Sequence, residues 1–306
     1  MKAIRFQRYG GPDAIRLDDI DVPEPTADQV LVKVAAASVN ALDWHLLRGK
    51  PYVVRFAGGL LAPRERGLGA DVSGTVVSVG ENVTDFAPGD AVFGQSIRTF
   101  AEYAVVSKTG LIARPDTLTA EQAAAIPLAG MTALQGLRKG GITSGQRVLI
   151  TGASGGVGHF AVQLAATFGA AVTASCRTEH IARVESFGAT TVLDYTTTDI
   201  TTGEYDLVLD VAGTLSLGQL RRLAPLAVVV GAPDGNWLAP VTMPIVATVS
   251  SRIVSYLQQR NVDDLRELST LVTPVVDSSY SLAEVPEAVR RLESGHPGGK
   301  IVISVT

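Results

Sequence analysis

Three glycines at regular spacing form the clearest chemical pattern in this sequence. The segment 152–158 reads GASGGVG, follows an apolar run and precedes a stretch with helical spacing. A strand, a glycine-rich turn and a helix in that order are typical of a dinucleotide-binding loop, because glycine permits a tight turn and a helix N-terminus presents unpaired N–H groups to a diphosphate. A lone glycine triplet could also be a structural turn. We predict that the cofactor is bound by Gly152, Ser154, Gly155, Gly156, Val157 and Gly158.

The end of the next predicted strand favours one nucleotide. NAD sites usually place Asp or Glu there, where it holds the ribose 2′-hydroxyl. This chain has Ser175, Cys176 and Arg177 at that point, and the first acid is Glu179. Ser175 can donate a hydrogen bond to a 2′-phosphate and Arg177 can neutralise it, so we predict NADPH as the cofactor. The alternative is that Arg177 only covers the start of a surface helix.

The composition excludes several classes of function. Lys and Arg total 26 against 30 Asp and Glu, and the formal net charge of −4 provides no basic surface for nucleic acid or a membrane. The single cysteine, Cys176, excludes a disulfide framework, a zinc cluster of several thiolates and an iron–sulfur centre. We interpret Cys176 as a small buried hydrophobe and Asp43 with His45 as a pair on a helix surface. No metal site is therefore predicted.

The N-terminal segment and the hydropathy pattern indicate the compartment. Charged residues interrupt residues 1–8 before the apolar core of a signal peptide can develop. No uninterrupted apolar run reaches about 18 residues, because the longest candidate, 237–249, contains two prolines. We expect a cytoplasmic protein with no membrane partner.

The elements that position these residues change character along the chain. A length of 306 residues suggests two domains. The first third has many short strands separated by Gly and Pro, which predicts a partly open β-barrel. Residues 119–137 are predicted as one helix. From 147 onward strands and helices alternate, which predicts a doubly wound parallel sheet of the Rossmann type. The strands after the glycine loop are predicted at 171–175 and 206–210.

The domain boundaries follow from this change of pattern. We predict a substrate domain made of residues 1–118 and 272–306, and a nucleotide-binding domain at 119–271. The last segment, predicted as strand, helix and strand, then completes the first domain. The second domain is therefore an insertion in the first.

Several stretches together resemble one family. Residues 38–43, 69–76, 83–94 and 134–137, with the late glycine loop and the final Gly299-Lys300-Ile301-Val302, are similar to the medium-chain dehydrogenase/reductase superfamily, in its zinc-independent quinone oxidoreductase-like branch. The resemblance implies that the β-rich domain is GroES-like. The zinc-dependent members carry cysteine ligands that this chain lacks.

The resemblance also implies site residues in both domains. It places Thr132, Tyr195, Gly213, Gly231 and Lys300 at the cofactor. It places Asn40 at the mouth between the domains, where it could orient the nicotinamide ribose or the acceptor carbonyl. Tyr52 could donate a proton or a hydrogen bond there. Plainer interpretations are that Asn40 caps a helix, that Tyr52 is an aromatic wall and that the other residues serve helix caps and turns.

The predicted chemistry is hydride transfer without zinc. The acceptor must then take a hydride with little electrophilic help, which favours quinones and the C=C bond of α,β-unsaturated carbonyls. The alternatives are a tailoring enoyl reductase that acts on a biosynthetic intermediate, and an NADPH-binding interaction protein without turnover. The predicted edge strand at 252–257 and the family resemblance indicate a homodimer.

Overall fold

The computed structural model describes residues 1–50, 52, 55–56, 59–64, 66–230, 252–295 and 297–305. Gly231, one of the predicted cofactor residues, lies outside them. The strands are β1 (Lys2–Phe6), β2 (Ile15–Asp19), β3 (Gln29–Val39), β4 (Asp71–Val79), β5 (Ala91–Gln95), β6 (Tyr103–Ser107), β7 (Leu111–Ala113), β8 (Arg147–Thr151), β9 (Ala171–Cys176), β10 (Thr191–Asp194), β11 (Leu207–Asp210), β12 (Ala227–Val229), β13 (Ile253–Ser255), β14 (Val276–Ser281) and β15 (Lys300–Ser304). The helices are α1 (Ala41–Arg48), α2 (Ala120–Ala125), α3 (Pro127–Lys139), α4 (Gly158–Thr167), α5 (Ile181–Ser186), α6 (Leu217–Leu223), α7 (Val262–Leu271) and α8 (Val285–Glu293).

The chain forms two compact units. Unit 1 contains Met1–Leu128, Arg260–Thr270 and Pro274–Thr306, and unit 2 contains Ala129–Gln259 and Leu271–Thr273. Residues 119–128 and 260–270 therefore lie in unit 1, whereas the sequence assigned them to the nucleotide-binding domain. The domain boundaries in the sequence analysis stay a prediction.

Unit 1 is built around the long strand β3. Its sheet has the order β14-β15-β3-β4-β5-β7, and β6 also pairs with β3. All of these pairs are antiparallel except β14 with β15. Valines on β3, β4 and β6 point into a common core, as expected for strands with one buried face. The register pairs Ser38 with both Asp71 and Val302, which brings polar residues from β3, β4 and β15 to the same end of the sheet.

Unit 2 contains a six-stranded parallel sheet in the order β10-β9-β8-β11-β12-β13. Numbered from its first strand, this order is 3-2-1-4-5-6, the arrangement of a doubly wound nucleotide-binding sheet. The central residues Val148, Leu149 and Ile150 are fully buried, as strands covered on both faces must be. The strand order reverses between β8 and β11, which is where such folds bind ligands. The predicted fold class, a Rossmann-type sheet with a GroES-like partly open barrel, is confirmed.

Two local predictions were wrong. The helix predicted at 119–137 is divided into α2 and α3, because Pro127 has no N–H to continue the hydrogen-bond ladder. Strand β10 was missed: it has four residues and none is fully buried, so its apolar signal is weak. Thr191 and Val192 are β-branched and were the available signal. Among the described residues, no helix combines the length and apolar character that a membrane crossing requires.

Candidate functional site

The glycine loop of unit 2 connects β8 to α4. Gly152 adopts a φ of +62°, a conformation that favours glycine, and the Gly155 N–H donates to the Gly152 carbonyl oxygen at 3.1 Å. The Ala153 N–H donates to the Ser175 carbonyl oxygen at 3.0 Å, which ties the loop to β9. A Cβ atom at Gly158 would lie 2.0 Å from the Gly152 oxygen. Helix α4 can therefore begin this close to the loop only with glycine at 158.

The packing that requires glycine at position 158 does not account for the glycine at position 155. Among the described residues, a Cβ atom there would meet only the Gly152 oxygen, at an ordinary contact distance of 3.4 Å. The packing of the protein itself therefore does not require glycine at 155. A bare backbone at this position fits a diphosphate that approaches the first turn of α4, whose N–H groups lack acceptors inside the helix. The loop residues thus fit the predicted dinucleotide.

A buried carboxylate organises the neighbouring loop, after β11. Asp210 is fully buried, and its Oδ1 atom accepts hydrogen bonds from Thr151 Oγ1 at 2.6 Å and from the Gly213 N–H at 3.0 Å. Burial raises the pKa of Asp210, and these hydrogen bonds oppose the rise. The Ala212 N–H donates to Thr151 Oγ1 at 3.1 Å. Asp210 and Thr151 hold the carboxyl ends of β8 and β11 together, and the sequence analysis missed both residues.

Gly213 lies in this loop, at the carboxyl end of the sheet, and its predicted contact with the cofactor stays a prediction. It has a φ of +66°, and its loop lies against the glycine loop, since a Cβ atom built at Gly152 would lie 3.3 Å from the Ala212 nitrogen. The two loops flank the point at which the strand order reverses. Both are contributed by unit 2 alone.

The residues predicted for the 2′-phosphate lie at the ends of β9 and β10. Arg177 Nε donates to the Tyr195 hydroxyl at 2.9 Å, and 41% of Tyr195 is exposed. The structure thus brings together two residues that are 18 positions apart. Ser175 is 1% exposed, and its hydroxyl has no hydrogen-bond partner in the described part of the chain. An unpartnered buried hydroxyl is costly, so a ligand that bonds to it would stabilise this strand end.

Thr132 is the last described cofactor candidate of unit 2. It lies on α3 with 9% of its surface exposed, and its carbonyl oxygen accepts a hydrogen bond from the Tyr256 hydroxyl. Burial raises the pKa of Tyr256. Gly136, one turn further along α3, leaves room for the Tyr256 ring, because a Cβ atom there would lie 2.8 Å from its hydroxyl oxygen. The predicted contact of Thr132 with the cofactor stays a prediction.

The remaining candidates belong to unit 1. Asn40 and Lys300 are buried and bonded to each other, with Lys300 Nζ 2.5 Å from Asn40 Oδ1. Asp71, which the sequence analysis missed, accepts a hydrogen bond from Asn40 Nδ2 at 2.9 Å. The predicted contact of Lys300 with the cofactor is untested, but its ammonium group already has partners inside unit 1. Tyr52 is 55% exposed, and the Arg55 guanidinium lies 4.9 Å from the centre of its ring.

The interpretation of Asp43 and His45 as a surface pair was wrong for Asp43. Asp43 is 1% exposed and accepts hydrogen bonds from the backbone N–H groups of Asn40 at 2.8 Å and Gly69 at 2.7 Å. Burial raises the pKa of Asp43 to about 6, while these two N–H groups oppose the rise. The carboxylate thus caps α1 from inside the core.

Comparison with known proteins identifies the family. Models described as an alcohol dehydrogenase GroES-like domain and as a zinc-binding dehydrogenase match residues 26–116 and 187–303. The chloroplast envelope quinone oxidoreductase homolog of Arabidopsis thaliana is 32% identical, with 99% of this chain and 98% of that protein covered. This chain belongs to the medium-chain dehydrogenase/reductase superfamily of oxidoreductases.

Two further comparisons agree with membership in this superfamily. The chloroplastic NADPH-dependent alkenal/one oxidoreductase of Arabidopsis thaliana is 33% identical, with 99% of this chain and 79% of that protein covered. The solved structure of the quinone oxidoreductase from Coxiella burnetii superposes with a TM-score of 0.88 at 31% identity, with 100% of this chain and 99% of that chain covered. The predicted family is confirmed, and enzymes of this superfamily use NAD(P)H.

One of the matching family models is described as a zinc-binding dehydrogenase, and the side chains of this chain bear on whether a zinc ion fits. Among the described residues, no three His, Cys, Asp or Glu side chains are grouped so that they could hold a metal ion. Cys176 is buried, and burial raises the pKa of its thiol to about 11, which keeps it protonated near neutral pH. The possible metal ligands among the described residues therefore do not fit a zinc ion.

Proposed function

We propose that this protein is an NADPH-dependent, zinc-independent reductase that transfers a hydride to a quinone or to the C=C bond of an α,β-unsaturated carbonyl. The observation that carries the proposal is the nucleotide loop with a Gly155 that protein packing does not require. The names of relatives about one third identical, a quinone oxidoreductase homolog and an alkenal/one oxidoreductase, support the two acceptor classes.

The pair of Arg177 and Tyr195 supports NADPH over NADH. The guanidinium and the phenol meet at the ends of β9 and β10, at a distance of 2.9 Å. A guanidinium beside a hydroxyl can bind a phosphate by charge and by directed hydrogen bonds. Asp194, which precedes Tyr195 in the chain, accepts hydrogen bonds from Thr178 and Thr196, and these lower its pKa. The pair is therefore suited to a 2′-phosphate.

The chemistry divides between the bound nicotinamide and the protein. The nicotinamide supplies the hydride, and the negative charge then develops on a carbonyl oxygen of the acceptor. In this proposal the glycine loop and the loop held by Asp210 bind the nucleotide, Asn40 contacts the reacting molecules, and Tyr52 or solvent delivers the proton. Hydride transfer to these acceptors needs no Lewis acid, which agrees with the lack of a group of metal ligands among the described residues.

The test is turnover with a panel of acceptors. Purified protein is mixed with NADPH and, separately, quinones, enones and enals, and the loss of reduced nicotinamide absorbance is recorded. We expect oxidation of NADPH with at least one class of acceptor, at a rate that a zinc chelator does not change. Tight NADPH binding without oxidation across the panel would favour an NADPH-binding interaction protein. Oxidation that occurs only when an enoyl thioester is added as a further acceptor would favour the tailoring enoyl reductase.

Replacing Arg177 tests the choice of nucleotide. Arg177→Glu removes the cation and adds repulsion, so the Kd for NADPH should rise about 100-fold while the Kd for NADH changes little. Arg221→Glu is the matched control, because Arg221 is an exposed arginine of unit 2 on α6. Fluorescence titration measures both constants. An unchanged Kd for NADPH in Arg177→Glu would refute the assignment.

The edge strand β13 supports a homodimer. It pairs with β12 on one side, and no other strand of the described residues pairs with its second edge, so that edge can accept a partner strand. We propose that two copies associate at this edge. Light scattering at micromolar concentration should give twice the chain mass, and a monomer mass would contradict the proposal.

A further inference from the structure

Five polar side chains of unit 1 form a buried group that we name the Lys300 cluster: Ser38, Asn40, Asp43, Asp71 and Lys300. None is more than 5% exposed. They come from three segments of the chain: the end of β3 with the first turn of α1, the start of β4 and the start of β15. Charged side chains are seldom buried unless they are paired, because removal from water is costly. One ammonium and two carboxylates nevertheless meet inside this unit.

The Asn40 amide lies at the centre of the cluster. Its Nδ2 atom donates to Asp71 Oδ2 at 2.9 Å and to the Ser38 carbonyl oxygen at 3.1 Å. Its Oδ1 atom accepts from Lys300 Nζ at 2.5 Å. Both amide hydrogens are therefore engaged, and Oδ1 keeps one further lone pair.

The chemistry of these partners allows one orientation of the amide. An ammonium group has only donors and an ionised carboxylate has only acceptors. Rotation of the amide by half a turn would place its NH₂ group against Lys300 and its oxygen against Asp71. Both contacts would then be repulsive, so Lys300 and Asp71 select the same orientation from opposite sides.

We propose that Lys300 and Asp71 are positioning residues that fix Asn40 so that it meets a bound molecule only as a hydrogen-bond acceptor. This inference rests on the proposed function, in which Asn40 contacts the nucleotide or the hydride acceptor. The partner of Asn40 is then a hydroxyl or N–H group. It is not the developing enolate or quinolate oxygen, because two oxygen atoms with lone pairs repel each other. Of the two roles predicted for Asn40, orienting the nicotinamide ribose is retained and orienting the acceptor carbonyl is not.

The cluster holds Asn40 firmly because its members satisfy one another. Asp71 Oδ1 accepts from the Leu128 N–H at 2.9 Å, and Asp71 Oδ2 accepts from Ser38 Oγ at 2.7 Å and lies 3.8 Å from Lys300 Nζ. Lys300 also donates to the Val39 carbonyl oxygen at 3.1 Å. Asp43 fixes the backbone N–H of Asn40 at 2.8 Å. A satisfied buried network of this kind is rigid.

Hydrogen exchange of the Asn40 side chain in the native protein is the first test. The NMR signals of the Asn40 side-chain NH₂ group are assigned by their absence in the Asn40→Asp variant. The exposed side chain of Asn261 is the internal reference. With both hydrogens bonded in the interior, exchange should be about 100-fold slower than at Asn261. Exchange of Asn40 as fast as that of Asn261 would overturn the proposal, and this result does not depend on catalysis.

Lys300→Met is the second test, because it removes the ammonium and keeps the length of the side chain. Exchange of the Asn40 NH₂ should accelerate at least tenfold. The value of kcat/KM should fall about tenfold, the loss expected for one misdirected hydrogen bond. The preference for NADPH over NADH, which depends on unit 2, should not change. Lys108→Met is the control, since Lys108 forms a surface ion pair with Asp28 in the same unit.

The outcomes separate this inference from the proposed function. If none of the acceptors tested supports NADPH oxidation by the native protein, the proposed function fails. The hydrogen-exchange data still decide how the Asn40 side chain is held. Unchanged exchange and unchanged kcat/KM in a folded Lys300→Met would overturn the inference and leave the proposed function intact. If Lys300→Met does not fold, the native exchange rate of Asn40 decides.

Discussion

The two units place polar groups in opposite ways. In unit 2 most of the candidate nucleotide residues lie on loops at strand ends, and several are partly exposed, such as Tyr195 at 41%. In unit 1 the Lys300 cluster is buried and includes full charges. Loop residues can be changed at little cost in stability but at a cost in ligand binding. Buried charges behave differently, because the loss of one partner leaves the other without compensation.

Asp71 and Asp210 show the contrast most directly. Both are fully buried carboxylates at the ends of strands, and burial raises the pKa of each. Asp71 lies 3.8 Å from an ammonium group. In the described part of the chain Asp210 accepts hydrogen bonds from a hydroxyl and from backbone N–H groups, so its loss leaves no opposite charge without compensation. The same substitution in the two units therefore measures the contribution of the buried cation.

Asp71→Asn should have the largest effect on stability. It leaves the Lys300 ammonium buried without its nearest carboxylate, so the free energy of unfolding should fall by about 3–5 kcal/mol. Asp210→Asn should cost about 1–3 kcal/mol, the range for a disrupted buried hydrogen-bond acceptor. Urea denaturation at pH 7 measures both. Equal losses of unfolding free energy in the two variants would show that the buried Lys300 ammonium makes no difference to the cost of removing a carboxylate.

The pH dependence of stability tests the charge balance of unit 1. The folded pKa of Asp43, about 6, lies above its ordinary value of 3.8, so its contribution is full below about pH 4 and is lost as the pH rises through about 6. Relative to Asp43→Asn, the native chain should lose up to about 3 kcal/mol between pH 4 and pH 7. Asp71 adds to this shift by repulsion and Lys300 opposes it.

Urea denaturation across this pH range measures the difference between the two chains. Comparison with Asp43→Asn is needed because surface carboxylates with lowered pKa values, such as Asp206, change stability in the opposite sense at lower pH. A constant difference between the two chains from pH 4 to pH 7 would contradict the prediction.

The glycine loop of unit 2 should separate binding from stability. Gly155→Ala adds a Cβ atom 3.4 Å from the Gly152 oxygen, an ordinary contact distance, so the melting temperature should not change. The Kd for NADPH should rise about tenfold, or about 1.4 kcal/mol, because the added methyl group lies where the diphosphate would approach. Gly158→Ala places its Cβ 2.0 Å from a backbone oxygen and should lower the melting temperature as well.

Gly218→Ala is the control for these variants, because a Cβ atom there meets nothing within 4 Å. Differential scanning calorimetry and fluorescence titration give the two quantities. If Gly155→Ala bound NADPH as tightly as the native chain, the bare backbone at 155 would have no part in binding.

The sequence by itself determined the features that depend on neighbours along the chain. The bounds of β9 (Ala171–Cys176) and β11 (Leu207–Asp210) lie within one residue of those predicted at 171–175 and 206–210. The strand, glycine turn and helix of the nucleotide loop were predicted because the conformational freedom of glycine and the helix N-terminus are local properties. The alternation of strands and helices likewise predicted the parallel sheet.

Only the tertiary structure decided where the buried charges lie. Asp43, Asp71 and Lys300 carry no mark in the sequence that predicts burial, since charged residues are mostly exposed. Their positions follow from the register of β3 with β4 and β15, which joins segments more than 200 residues apart. Asp210 and Thr151 meet for the same reason, because β8 and β11 are neighbours in the sheet but not in the chain. Long-range pairing sets these contacts, and local propensity contains no information about it.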